Sequence, residues 1–154
     1  MISKELIDKI KNEIKGDKRV YLENCKNNYS EYVEVAQVLF KEYYKSMLKM
    51  LDEKKDPYTL YISKAIKFKD ENDIDGEKKY LKLAIENNVD TPYTYERLSL
   101  LYSKHKDYQK AYEICKKWFD FPYWKIPNMA TTSLRLLNKM EKLEAKLNKW
   151  DIII

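Results

Sequence analysis

The sequence predicts an all-α protein of helical hairpins, with helices ahead of them and one capping helix behind. Two glycines and four prolines among 154 residues leave long uninterrupted stretches rich in Lys, Glu, Leu and Tyr, a composition that suits helices. Apolar residues recur at steps of three and four, the spacing of one helix face. Residues 58 to 91 also resemble residues 92 to 125 when slid by 34 positions, matching Tyr61 with Tyr95, Ala65 with Ser99, Phe68 with Tyr102 and Leu81 with Cys115. Large residues meet large and small meet small, as shared packing demands, and a period of that length marks stacked helix-turn-helix units.

The chain has the length of one domain, 1–154, with an N-terminal helical part at 1–55. Its first helix covers 3 to 15, with Ser3 as cap, Ile2, Leu6, Ile10 and Ile14 at four-residue steps, and Gly16 as stop. A short helical piece is expected over 18 to 27. A long helix follows from about Ser30 to Lys54, with Val33, Ala36, Phe40, Tyr43, Tyr44, Met47 and Leu51 as one apolar stripe.

Pro57 breaks the chain and opens a first repeat, 57–91. Its first helix, Tyr58 to Lys69, turns inward Tyr61, Ala65 and Phe68. An acidic turn ending in Gly76 precedes a second helix from Glu77 to Glu86, and Asn87, Asn88 and Asp90 close the unit with turn-favouring side chains. Pro92 starts the second repeat, 92–125, in the first helical turn, where its missing N–H is harmless. That repeat has helices from Pro92 to Lys104 and Tyr108 to Phe119 around the turn His105-Lys106-Asp107.

A last helix over 128–150 is expected to be capped by Asn128 and to carry Leu136, Met140, Leu143, Leu147 and Trp150. Little more than two heptads is short for a dimerising coiled coil, so a cap over the last hairpin is preferred, with a homodimer through this helix as the rival.

Within the second repeat, Tyr95, Leu98, Ser99, Tyr102, Ala111 and Pro122 resemble the tetratricopeptide repeat pattern of aromatic, Leu, small, aromatic, Ala and Pro. The first repeat keeps Tyr61, Ala65, Phe68 and Ala84, but has Lys64 for the Leu and Glu77 for the middle Ala. The resemblance implies a non-enzymatic protein-binding module or adaptor that receives a partner peptide or helix on the inner faces of its first helices. Those positions are Thr59, Ile62, Ile66 and Lys69 in one repeat and Tyr93, Glu96, Leu100 and Ser103 in the other, with Arg97 beside them. Family members that clamp a terminal carboxylate use Lys and Asn where Ile62 and Ile66, or Glu96 and Leu100, stand here, which disfavours that mode. Two arrangements remain open: an accessible inner face, or one filled by the N-terminal helices. The aromatic run from Phe119 to Trp124 is likewise either an adhesive patch, with Tyr123 and Trp124 as anchors, or a plug under the last helix.

Thirty basic and 25 acidic residues are interleaved, for a net charge of +5, which makes a nucleic-acid role unlikely on charge alone. Arg occurs only at 19, 97 and 135, so the planar fork that reads bases is scarce. From Pro122 onward, however, six basic residues face three acidic ones. The second function expected is therefore a nucleic-acid-associated protein that uses this Lys-rich end without sequence preference. No stretch reaches the length of a membrane span and no secretory start is visible, and Cys25 and Cys115 form no metal-type pair. A cytoplasmic protein is expected. Heavy use of Lys, Asn and Ile points to an AT-rich coding genome, and a phage or mobile-element inhibitor of a host factor would share every feature above.

Chemical motifs are weak. Glu71-Asn72-Asp73-Ile74-Asp75-Gly76 imitates the opening of a calcium loop, but Lys82 stands where the twelfth, bidentate carboxylate belongs. His105, the one histidine, lies between Lys104 and Lys106 without a partner at orienting distance in sequence. No glycine-rich phosphate loop or nucleophile elbow is present, and no carboxylate pair stands out. Neither an enzyme, a metal nor a cofactor is expected.

Overall fold

The computed structural model describes residues 2–50, 52, 54–55, 57–89 and 91–153, with side chains described up to Asn148. Among the described residues there are nine α-helices and no strand. They are α1 (Lys4–Lys15), α2 (Lys18–Asn27), α3 (Tyr29–Leu39), α4 (Lys41–Met50), α5 (Tyr58–Asp70), α6 (Ile74–Glu86), α7 (Pro92–Lys104), α8 (Tyr108–Asp120) and α9 (Ala130–Ile153). Two 3-10 turns, Pro122–Lys125 and Pro127–Met129, join α8 to α9.

The repeat is visible in the backbone. After the 34-residue shift, α5 coincides with α7 and α6 with α8 at both ends. The turns match bond for bond: the Asp73 N–H donates to the Phe68 carbonyl and the Asp107 N–H to the Tyr102 carbonyl, both at 2.9 Å. Asn72 and Lys106 supply the left-handed step, at φ 59° and 60°. Asp73 and Asp107 then cap the following helices by accepting the N–H of Gly76 at 3.0 Å and of Lys110 at 3.2 Å. Successive helices α5 to α9 pack against one another in order.

Local chemistry explains the first elements as well. Ser3 Oγ accepts the Leu6 N–H at 3.1 Å to start α1, and Gly16 ends it. The Glu13 carboxylate then accepts from Asn24 Nδ2 at 2.9 Å and from the Tyr32 hydroxyl at 2.7 Å, tying α1 to α2 and α3.

Three expectations are corrected. The helix from Ser30 to Lys54 is two helices, because Phe40 leaves helical geometry at φ −122°, ψ 35°. No Gly or Pro stands there. The bend accompanies tertiary contacts: α3 meets the second 3-10 turn, α4 meets the first, and the Tyr44 hydroxyl donates to Asn128 Oδ1 at 2.8 Å. Lys54 lies in a turn, and Leu51 lies outside the described residues. The acidic turn is shorter than expected, since Asp73 caps a helix that already includes Asp75 and Glu77, acidic residues well placed in a first turn. Asp90 lies outside the described residues. Asn128 caps nothing; it sits in a 3-10 turn that runs on into α9, with its side chain engaged by Tyr44.

The last helix runs from Ala130 to Ile153. It runs antiparallel along α8, with Trp118 Nε1 donating to Ser133 Oγ at 2.9 Å, the Tyr112 hydroxyl donating to Glu144 at 2.9 Å, and Lys146 Nζ over the Tyr108 ring at 4.5 Å. On its other side lies α2, from which Arg19 reaches Asn138 at 2.6 Å and Glu141 at 2.5 Å. Leu136 and Leu143, which a dimer seam would use, are buried within the chain. The Trp150 to Ile154 side chains lie outside the described residues. One large core joins Ile10, Leu22, Cys25, Tyr95, Trp118 and Leu136, while Ile62, Ala84 and Val89 form a small second core inside the first hairpin.

Candidate partner-binding surface

Ile66 on α5 and Leu100 on α7 are one repeat apart, and both are large apolar side chains left in solvent at 40% and 38% exposure. The N-terminal helices pack on α9 and the 3-10 segment. Thr59 and Lys69, near the two ends of α5, are exposed as well, whereas Ile62 is fully buried in the small core. Of the four α5 positions, three are therefore accessible.

On α7 the expected residues come together. Tyr93, Glu96, Arg97 and Leu100 line a cavity of about 310 Å³ whose opposite wall is Arg135, Leu136 and Lys139 of α9. Ser103, half-buried, lies one turn beyond Leu100. Its hydroxyl oxygen and that of Tyr93 are both buried with no hydrogen-bond partner among the described residues.

The charges of this groove are mostly committed. Arg97 forks onto Glu77, Nε to Oε2 at 2.5 Å and Nη2 to Oε1 at 3.0 Å, so it joins the second repeat to the first. That hydrogen bond pushes the Arg97 guanidinium up from its ordinary value, and burial followed by the Glu77 charge pushes the Tyr93 phenol up. Glu96 is held the same way by Arg135, with two contacts of 2.8 Å across the groove. Lys139 is different: it is half-buried, burial pushes its ammonium down, and no carboxylate among the described residues lies within ion-pair distance.

The aromatic run is a plug. Trp124, 5% exposed, meets Tyr21 of α2 edge-on at 6.0 Å and Phe119 at 6.2 Å, and the Tyr21 hydroxyl donates to the Lys125 carbonyl. Tyr123, half-buried, lies 6.4 Å from the Trp118 ring. As an anchor, Trp124 is therefore corrected to a core residue that joins both halves of the chain.

Sequence reasoning missed the α9 wall of the groove. The signal was there: Ala65, Ser99 and Ser133 are spaced by 34 residues, and all three are fully buried small side chains. The first part of α9 thus occupies the first-helix place of a third unit. Among the described residues no group of three or more His, Cys, Asp or Glu is placed to hold a metal ion, and no helix is long and apolar enough to cross a membrane. His105 is exposed in its turn. Compared with known proteins, the chain matches no family model, no curated protein and no solved structure.

Proposed function

We propose that the chain is a tetratricopeptide-like, non-enzymatic protein-binding module, an adaptor or a blocker that holds a peptide or helix of a partner on the inner faces of α5, α7 and α9. The observation that carries this reading is the pair Ile66 and Leu100, apolar, exposed and at the same place in successive units. A repeated apolar position on a preformed helical surface is an anchor site for a partner's side chains, with the surrounding Lys and Glu as its rim. An inhibitor of a host factor, of the kind phages and mobile elements encode, fits this mechanism without further parts.

Affinity capture with wild type and with Ile66→Asp plus Leu100→Asp tests it. Both side chains are already partly in solvent, so the variant should keep its helical circular dichroism and its melting temperature within a few degrees. Its specific partner should be lost. Recovery of the same partner at the same yield would reject this surface.

The second reading, a nucleic-acid-associated protein, rests on the cations of α9. It predicts sequence-indifferent binding that collapses between about 50 and 200 mM salt. A mobility-shift titration at those two concentrations separates the readings.

A further inference from the structure

Resting on that reading, we infer that the groove between α7 and α9 takes an acidic amphipathic segment of a partner protein, one apolar side chain entering the cavity beside Leu100 and Leu136 while flanking carboxylates meet the basic face of α9. Two observations meet here. The first is charge segregation along α9. Arg135, Lys139, Lys142 and Lys146 fall within about 60° of one another around the helix axis and extend over roughly 16 Å. Of the acidic residues of the helix whose side chains are described, Glu141 and Glu144 point elsewhere and are occupied, Glu141 by Arg19 of α2 and Glu144 by Tyr112 of α8.

The second is what the stripe borders. Arg135 and Lys139 stand in the wall of the 310 Å³ cavity, whose other side carries exposed Leu100. Arg135 is balanced by Glu96, but Lys139 and Lys142 have no carboxylate partner among the described residues. Lys146 continues the stripe toward the turn between α7 and α8, where Lys104 and Lys106 add exposed charge. An apolar socket with cations along one edge is complementary to a Leu-and-Glu face, and opposite charge at the rim speeds docking and fixes its direction. Nucleic acid fits less well, because a phosphate chain has nothing to place in the apolar socket and the one Arg of the stripe is already forked to Glu96.

The test uses a fluorescein-labelled helical peptide of about twelve residues with Leu and Glu in amphipathic order, long enough to follow the stripe. Its counterparts carry Lys for Glu or Ser for Glu, and a labelled single-stranded DNA completes the set. Fluorescence anisotropy on the full chain should show the Glu peptide binding at least about tenfold more tightly than the Lys and Ser peptides. The variant Lys139→Glu plus Lys142→Glu should reverse the order and prefer the Lys peptide, a gain that misfolding cannot produce. Equal binding of the peptides, no binding of any of them, or preferential binding of DNA would overturn the inference. Peptide binding that Leu100→Asp abolishes but charge reversal leaves unchanged would overturn it too, while leaving the protein-binding reading intact.

Discussion

The carboxylate of Glu77, 1% exposed, is gripped at both oxygens by the guanidinium of Arg97 from the neighbouring repeat. One period later the position of Glu77 is held by Ala111, fully buried, so the second hairpin packs there without charge. The pair is therefore an addition to the repeat plan that fastens one unit to the next. Arg97→Ala should cost roughly 3 kcal/mol, because it strands a buried carboxylate, whereas Glu77→Ala should cost clearly less, since Arg97 can turn to solvent. The double variant Glu77→Ala, Arg97→Ala should be more stable than Arg97→Ala alone. Urea unfolding of the four proteins checks this; additive losses would mean that the pair is not coupled.

Gly76 stands in the first turn of α6 because Phe68 leaves no room for a side chain. A Cβ there would meet the Phe68 ring at 2.6 and 2.8 Å, and that ring is stacked on Tyr80 at 5.4 Å. The corresponding position in the second repeat is Lys110, where Tyr102 has Lys78 and Lys82 over its ring. Gly76→Ala should destabilise by about 1 kcal/mol, overpacking of about 1–3 kcal/mol outweighing the gain of about 1 kcal/mol in helix propensity. In a Phe68→Ala background the same substitution should stabilise. Thermal melts that show one sign in both backgrounds would reject the explanation.

Trp118 and Ser133 are both fully buried, and the indole N–H has the serine oxygen as its partner at 2.9 Å. Ser133→Ala leaves that donor unmet and should cost about 1–3 kcal/mol in urea unfolding. Trp118→Phe should make the serine substitution nearly neutral, since no donor is then stranded. An undiminished cost in the Phe background would place the role of Ser133 elsewhere.

The hairpins were legible because their limits depend on local chemistry. Asp73 and Asp107 cap, Asn72 and Lys106 turn, and Pro92 starts a helix, all within a few residues of where each acts. The bend at Phe40 was not legible: the apolar stripe runs across it in phase, and what accompanies the bend is contact with turns more than 80 residues away, as in the bond from Tyr44 to Asn128. The inner surface was half legible. Ile66 and Leu100 are named by the resemblance, though not their exposure, but the engagement of Arg97 by Glu77 and of Glu96 by Arg135 spans 20 and 39 residues and depends on how units stack. Spacing can nominate an inner face; it cannot tell which of its charges are already spent on neighbours.

Cys25 gives the chain an alkaline weakness. Its thiol is buried on α2, and burial pushes it up to about 12, with Glu13 adding in the same direction and the bond to Tyr21 opposing it. Burial raises the phenols of Tyr21 and Tyr32 as well. The sign follows from proton counts. Above pH 9 the unfolded chain loses the thiol proton while the folded one keeps it, so the folded state binds more protons and stability falls as pH rises. The contribution of Cys25 is complete below pH 9 and is lost between about 9 and 12. Cys25→Ala should lower stability at pH 7 through the cavity it leaves, yet flatten the decline above pH 9 by up to about 1.4 kcal/mol per pH unit. Urea unfolding at pH 7, 9 and 10.5 reads both effects. Parallel declines in the two proteins would mean that the Cys25 thiol titrates alike in the folded and unfolded chain.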